Sequence, residues 1–256
     1  MSNALIISSG KGGTGKTTTA VNLGVSMAQQ GLEVLLVDAA MPTPDVGLHL
    51  GLPFKLRTLN HVLSGESDVT DAIFIHESGL EVLPASIHLG TFTDFDPAEL
   101  AAVLAEVKDY YDWVLIDCAA GLGREVVKSI EAADKMLVVT NPELPSVADS
   151  FKAIQVGEEV KTEHMGTIIT RSGRFSEELN NNEVQAVMGD ASEVVTRIPE
   201  DRNVPRAIAT SEPIVLKYPY SPAAMGYKML ASRITGRKFV DDRTVWDRVK
   251  CAVRGY

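Results

Sequence analysis

Ten residues near the start of the chain, Ser9-Gly10-Lys11-Gly12-Gly13-Thr14-Gly15-Lys16-Thr17-Thr18, bring together what is needed to hold a polyphosphate. Gly10, Gly15, Lys16 and Thr17 satisfy the phosphate-loop pattern G-x-x-x-x-G-K-[ST]. The glycines let backbone N–H groups turn inward and close on phosphate oxygens, which a Cβ would obstruct. Lys16 supplies a cation for the β- and γ-phosphates, and the Thr17 hydroxyl a ligand for Mg²⁺. A glycine-rich turn that binds nothing would use the same letters, but the flanks argue against it. Leu5-Ile6-Ile7 reads as a buried strand and Thr18 to Met27 as a helix, which is the strand–loop–helix setting that the pattern requires. Two carboxylates join this loop. Strand Glu33–Val37 ends in Asp38, and strand Trp113–Ile116 ends in Asp117. Acids at the C-terminal ends of parallel strands point into the crevice where such sheets bind ligands.

The elements that must position these groups follow from the apolar pattern. Strand candidates are Leu5–Ser8, Glu33–Val37, Glu81–Leu83, Trp113–Ile116, Met136–Thr140, Gly166–Ile169, Glu193–Ile198 and Ile214–Val215. Amphipathic stretches such as Pro97–Lys108, Ser146–Val160 and Pro222–Thr235 fall between them. Continuous Val/Leu/Ile runs suit parallel strands buried on both faces. The alternation predicts an α/β fold, a doubly wound and mainly parallel sheet with helices on both sides. No internal repeat or low-complexity tract interrupts it. The polar segment Arg174–Asp190, with Asn180-Asn181-Asn182, reads as a surface excursion. The core pattern stops after Gly236, so residues 1–236 are expected to form the phosphate-loop domain and 237–256 a hinge and tail.

Bulk composition narrows the function classes. With 256 residues and 45% hydrophobic content, one large α/β domain can fill its core. Twenty-four basic residues against 34 acidic ones leave a net charge of −10, which disfavours nonspecific binding to nucleic acid. The two cysteines, Cys118 and Cys251, form no C-x-x-C pair, so neither zinc nor an intrachain iron–sulfur site is indicated. Reduced thiols, no signal peptide and no stretch able to span a bilayer fit a cytoplasmic protein.

The extra lysine makes the loop more specific. A phosphate loop needs one lysine, yet Lys11 follows the first glycine, and the string Lys-Gly-Gly-Thr-Gly-Lys-Thr resembles the deviant Walker A loop of the MinD/ParA ATPases. The resemblance implies ATP/ADP and Mg²⁺ as ligands, with Gly12, Gly13, Thr14, Gly15, Lys16, Thr17 and Thr18 around the phosphates. It implies an ATP-bound homodimer in which Lys11 reaches the partner's phosphates. Asp117 resembles the Walker B aspartate, which with Thr17 would hold Mg²⁺, and Asp38 would act from further out. The string Ile116-Asp117-Cys118-Ala119-Ala120-Gly121-Leu122 is similar to the family's second switch, with Ala119 where proline is common.

Two further positions depart from the pattern. The first switch, Val37 to Asp45, has Ala40 where family members usually carry Asp or Asn, and alanine can neither accept a proton nor orient water. Either ATP is hydrolysed slowly, or Ala40 is an engineered change that traps the ATP-bound dimer. In Ile169-Thr170-Arg171, Thr170 stands where an adenine-reading Asn is common, and a single hydroxyl reads a base less well. Arg171 with Pro199, Glu200 and Asp201 of Ile198-Pro199-Glu200-Asp201 resembles the segment that borders adenine, and Thr140-Asn141-Pro142-Glu143 also matches the family. No guanine-reading motif occurs.

The tail completes the resemblance. On a helical wheel Val245, Trp246, Val249, Ala252, Val253 and Tyr256 share an arc of about 120°. Arg243, Lys250 and Arg254 lie on one flank and Arg248 on the other. Four basic residues and one acid, Asp247, make residues 243–256 +3, so the remaining chain is −13. Tryptophan with flanking arginines is the composition of an interfacial membrane helix, although the stripe would also suit a helix packed on the protein's own core. The resulting expectation is a MinD-like ATPase that docks by Val245, Trp246, Val249, Val253, Arg248, Lys250 and Arg254 on the inner face of the cell membrane. Its partners would be anionic lipid and a protein activator or cargo, and its task the positioning of division or polar structures. The alternatives are a ParA-type DNA-partition ATPase, an iron–sulfur carrier using Cys118, and a non-hydrolysing ATP-dependent scaffold.

Overall fold

Strands and helices alternate through the chain in the computed structural model, which describes residues 3–41, 43–53, 56–87, 97–189, 192–239 and 241. The strands are β1 (Asn3–Ser8), β2 (Val34–Ala39), β3 (Phe74–Ile75), β4 (Glu81–Leu83), β5 (Trp113–Cys118), β6 (Lys135–Thr140), β7 (Glu163–Ser172) and β8 (Val194–Pro199). They form one sheet in the order β3-β4-β2-β5-β1-β6-β7-β8. Every pairing is parallel except that of the short edge strand β3 with β4. Strand β1 sits between β5 and β6, while the chain leaving it returns two places away as β2. A crevice therefore opens at the C-terminal end of β1, as expected for an open α/β sheet.

Successive strand residues serve opposite cores. Ile6 packs on one face with Leu35, Val37, Val114 and Ile116, and Leu5 and Ile7 on the other with Leu36, Leu115 and Leu137. The first core is closed by α5 (Pro97–Val107), α6 (Arg124–Glu131), α7 (Leu144–Val160) and α8 (Asn181–Met188). The second is closed by α1 (Lys16–Gln29), α9 (Asn203–Ile208), α10 (Ile214–Lys217) and α11 (Pro222–Thr235). The short helices α2 (Val46–Leu50), α3 (Leu59–Leu63) and α4 (Val69–Ala72) fill the connection from β2 to β3. Burial on both faces explains the unbroken apolar runs, and it makes the sheet a stiff platform for the loops at its edge.

Two expectations are corrected. Ile214–Val215 is helical rather than a strand: both residues are 1% exposed in α10, and the Val215 N–H donates to Asn22 Oδ1 at 3.2 Å instead of to a ladder. An apolar pair is buried equally well by either element, so its composition could not choose. The segment Arg174–Asp190 is not simply a surface excursion, because it contains α8, which buries Val184 and Met188. Its asparagine run is a helix start: Asn180 Oδ1 accepts the Asn182 and Glu183 N–H groups, and Glu183 accepts the Asn180 N–H at 2.8 Å, a capping box.

Candidate nucleotide-binding site

The phosphate loop sits over the crevice, and two of its glycines are there for steric reasons. Gly15, with φ of 88°, is the residue before α1 in the left-handed region, and it makes no side-chain cap. The first N–H groups of α1 are left pointing out of the helix end, ready for an anion. Gly10 presses on α7: a Cβ there would lie 2.2 Å from the Asp149 backbone. Lys16 is nearly buried, and its Nζ donates to Ser9 Oγ at 3.0 Å. The Ser9 hydroxyl in turn donates to the Lys11 carbonyl at 2.8 Å. The loop thus holds its own lysine in place through Ser9, a role the motif did not assign.

Thr170 braces the loop from below. Its hydroxyl lies 2.6 Å from the Thr14 carbonyl, 3.0 Å from Asn141 Oδ1 and 3.2 Å from the Thr140 carbonyl, and the residue is buried. With its one proton shared among these acceptors, Thr170 ties β6 and β7 to the loop, and it also lines the cleft that continues from Gly15. Asn141 is the second residue whose part here the motif reading missed.

Asp38 and Asp117 stand side by side in the register of β2 and β5, both with no exposed surface. Asp38 is satisfied by the backbone, its Oδ1 accepting from Ala40 N at 3.1 Å and its Oδ2 from Val46 N at 3.3 Å. These bonds close the first switch onto the start of α2. Burial, with the adjacent Asp117, holds the Asp38 carboxyl well above the usual range. Asp117 differs, since neither of its oxygens has a hydrogen-bond partner among the described residues. Burial pushes it up to about 7, against the pull of the nearby Thr17 hydroxyl and Lys16 ammonium. A buried carboxylate with both oxygens open, beside a threonine hydroxyl, fits a hard divalent cation that takes oxygen ligands. Thr17 and Asp117 are the residues that would hold Mg²⁺. Ala40 is buried behind Asp38, its carbonyl accepting from Thr43 N at 2.9 Å.

Lys11 lies at the rim, its Nζ 3.8 Å from Glu143 Oε2 and its side chain 35% exposed. Glu143 precedes α7, so the Asn141–Glu143 turn contacts both the brace and the rim of the loop. A cleft of about 250 Å³ runs on from Gly13, Gly15 and Thr18 to Arg171, Pro199, Glu200 and Asp201. Arg171, at φ of 55°, pairs with Glu200 at 3.1 Å across its mouth. Asp201 lines the same cleft, but its oxygens accept from Asn203 N at 2.9 Å and Ala223 N at 3.2 Å, pinning α9 and α11. Gly12 joins the loop surface near Ala120.

Cys118 belongs to the core. It is 1% exposed, its thiol donates to the Ile7 carbonyl at 3.3 Å, and burial pushes it up to about 12. A thiol so placed cannot bridge two copies through a cluster. The tail residues Val245, Trp246, Arg248, Val249, Lys250, Val253 and Arg254 lie outside the described residues. No helix among the described residues is long and apolar enough to cross a membrane.

Known proteins are similar to this chain in sequence and fold. A family profile described as an AAA domain matches residues 2–165. An uncharacterised ATP-binding protein of Methanocaldococcus jannaschii is 38% identical over 239 residues, which covers 93% of this chain and 90% of that protein. The septum site-determining protein MinD of Thermotoga maritima is 30% identical over 245 residues, covering 92% of this chain and 89% of that protein. The solved structure of the septum site-determining protein MinD complexed with Mg-ADP, from Pyrococcus horikoshii, matches with a TM-score of 0.87 at 31% identity. It covers 91% of this chain and 96% of its own.

Proposed function

The chain belongs to the MinD/ParA family of deviant Walker A ATPases, and from that premise we propose that it is an ATP-dependent dimerising switch that hydrolyses ATP and resides on a membrane while ATP is bound. The observation that carries this reading is the pairing of a complete phosphate loop with the side-by-side carboxylates Asp38 and Asp117.

The chain's own residues divide the work. The N–H groups of Gly12 to Thr18 and the start of α1 wrap the phosphates, and Lys16, delivered by Ser9, meets the β- and γ-phosphates. Mg²⁺, when held by Thr17 and Asp117, neutralises charge on the phosphate oxygens. A water attacking the γ-phosphate would be placed near Asp38, which holds the first switch in position through the Ala40 and Val46 N–H groups. Ala40 offers that water nothing, so turnover is slow until an activating partner completes the site. Lys11 leaves Glu143 for the other copy's phosphates, and hydrolysis removes that bond and splits the dimer. Arg171, Pro199 and Glu200 border the adenine.

One short amphipathic tail binds lipid weakly, and two on one dimer bind through avidity, since the second contact is intramolecular. Nucleotide state then sets membrane residence on the inner face, and a cargo recruited there is positioned. The net charge of −10 disfavours the ParA-type alternative, in which surface cations hold nonspecific DNA. The test is co-sedimentation with anionic liposomes, comparing ATP with ADP and the full chain with one ending at Val240. Pelleting that requires both ATP and the tail supports the reading; no pelleting in any state overturns it and brings a DNA-binding assay forward.

A further inference from the structure

A second cleft, of about 380 Å³, opens where the C-terminal ends of α1 and α11 meet. Helix α1 runs down from the phosphate loop to Gln29, and the chain then turns back into β2 at Val34. The cleft therefore sits at the N-terminal edge of the sheet, away from the nucleotide. Lys228, Arg237 and Lys238 line it together with Ser26, Ser232 and Phe239, and no acidic side chain among the described residues does so. The three lining cations reverse locally the sign of a chain that is −13 before its tail.

Helix C-termini attract cations for purely structural reasons, so each lysine and arginine must be weighed. Arg237 has such a use: its guanidinium donates to the Gln30 carbonyl, and its N–H donates to Thr235 Oγ1 at 3.2 Å. Lys228 places its ammonium 5.6 Å from the Tyr220 ring centroid and still faces the cleft. Lys238 has no partner among the described residues and is exposed. Phe239, half-buried, follows it directly and sets an apolar surface against the cations.

We propose that this cleft is a headgroup site for an anionic phospholipid. The lipid phosphate sits between Lys228 and Lys238 with Arg237 behind it, and Phe239 turns the chain toward the acyl region. The inference rests on the membrane reading above and deepens it, because Phe239, which lines the cleft, stands in the hinge that leads to the apolar tail in the sequence. A free phosphate would use the same cations but would gain nothing from Phe239. Each cation near an anionic surface raises partitioning about fivefold, so two together are worth a tenfold change or more.

The test uses the full chain with ATP and a Lys228→Gln/Lys238→Gln double variant, which removes both charges while keeping polar, unbranched side chains and the entire tail. Vesicles of phosphatidylglycerol with phosphatidylcholine are compared with phosphatidylcholine alone. Inorganic phosphate and glycerol 3-phosphate are titrated separately by calorimetry. The expected result is about a tenfold loss of partitioning onto anionic vesicles, with ATP affinity and melting temperature unchanged. Equal partitioning of variant and parent overturns the headgroup site while leaving the membrane reading intact. If neither chain binds vesicles, both fail, and binding of inorganic phosphate in that case assigns the cleft to a free anion instead.

Discussion

Asp38 and Asp117 are register partners on adjacent parallel strands, both fully buried, yet only Asp38 is hydrogen-bonded. One carboxylate is occupied in holding a loop, and the other waits for a ligand. The unsatisfied Asp117 is held at about 7 in the folded chain, far above the value of about 3.9 for a free aspartate. The folded state therefore binds more protons than the unfolded one between these values, and stability falls as pH rises through that window. Replacing Asp117 by Asn removes the penalty. Without nucleotide, Asp117→Asn is expected to be more stable than the parent at pH 8, and by on the order of 2–4 kcal/mol more than at pH 4. Urea titrations at both values check this, and an advantage that does not grow with pH refutes it. The same variant is expected to lose Mg²⁺-dependent ATP binding.

Ala40 lies directly behind Asp38, to which it donates its N–H. A polar side chain here would add to the first switch a group able to orient water. Ala40→Asp or Ala40→Asn is expected to raise ATP turnover several-fold in a steady-state phosphate-release assay. Unchanged turnover in a variant that melts normally removes this position from the mechanism.

The Thr170 hydroxyl is the brace beneath Thr14. Thr170→Val strips a proton from three buried acceptors, a loss of about 1–3 kcal/mol in stability. ATP affinity is expected to fall with it, because the loop loses its floor, while Thr170→Ser retains both. Calorimetric titration with ATP separates the cases: equal affinity in the valine variant and the parent would show that the brace is dispensable.

At Gly10 the backbone of α7 leaves no room for a methyl group, since a Cβ would meet Asp149 at 2.2 Å. Gly10→Ala must push either the loop or the helix aside in a close-packed region. The expected outcome is a folded protein, by circular dichroism, with ATP affinity reduced at least tenfold. Retained affinity would mean that α7 gives way instead of the loop.

Much of this was legible in the sequence because the fold and the loop write themselves in local patterns. Strands buried on both faces leave runs such as Leu5-Ile6-Ile7, and Pro222–Thr235 is a helix with the bounds its pattern implied. What was not legible depends on partners distant in the chain. Thr170 could be compared with an adenine-reading Asn, but its contact with Thr14, 156 positions away, is visible only once the sheet has formed. Asp201 looked like a base-pocket acid, and its carboxylate turns out to pin Asn203 and Ala223. Ile214–Val215 had the composition of a strand, but the Asn22 side chain took the N–H that a ladder would have used.

Helix α1 joins the two clefts. It has 14 residues, begins with the buried Lys16 and ends at Gln29, a strut of about 21 Å packed between the sheet and α11. In mechanical terms it is a buried rod: it contains no proline, and its residues from Thr19 to Met27 are all buried. The cleft beside the phosphate loop and the cleft lined by Arg237 and Lys238 are thus the two ends of one rod, which carries Lys16 at the first and hands the Gln30 carbonyl to Arg237 at the second.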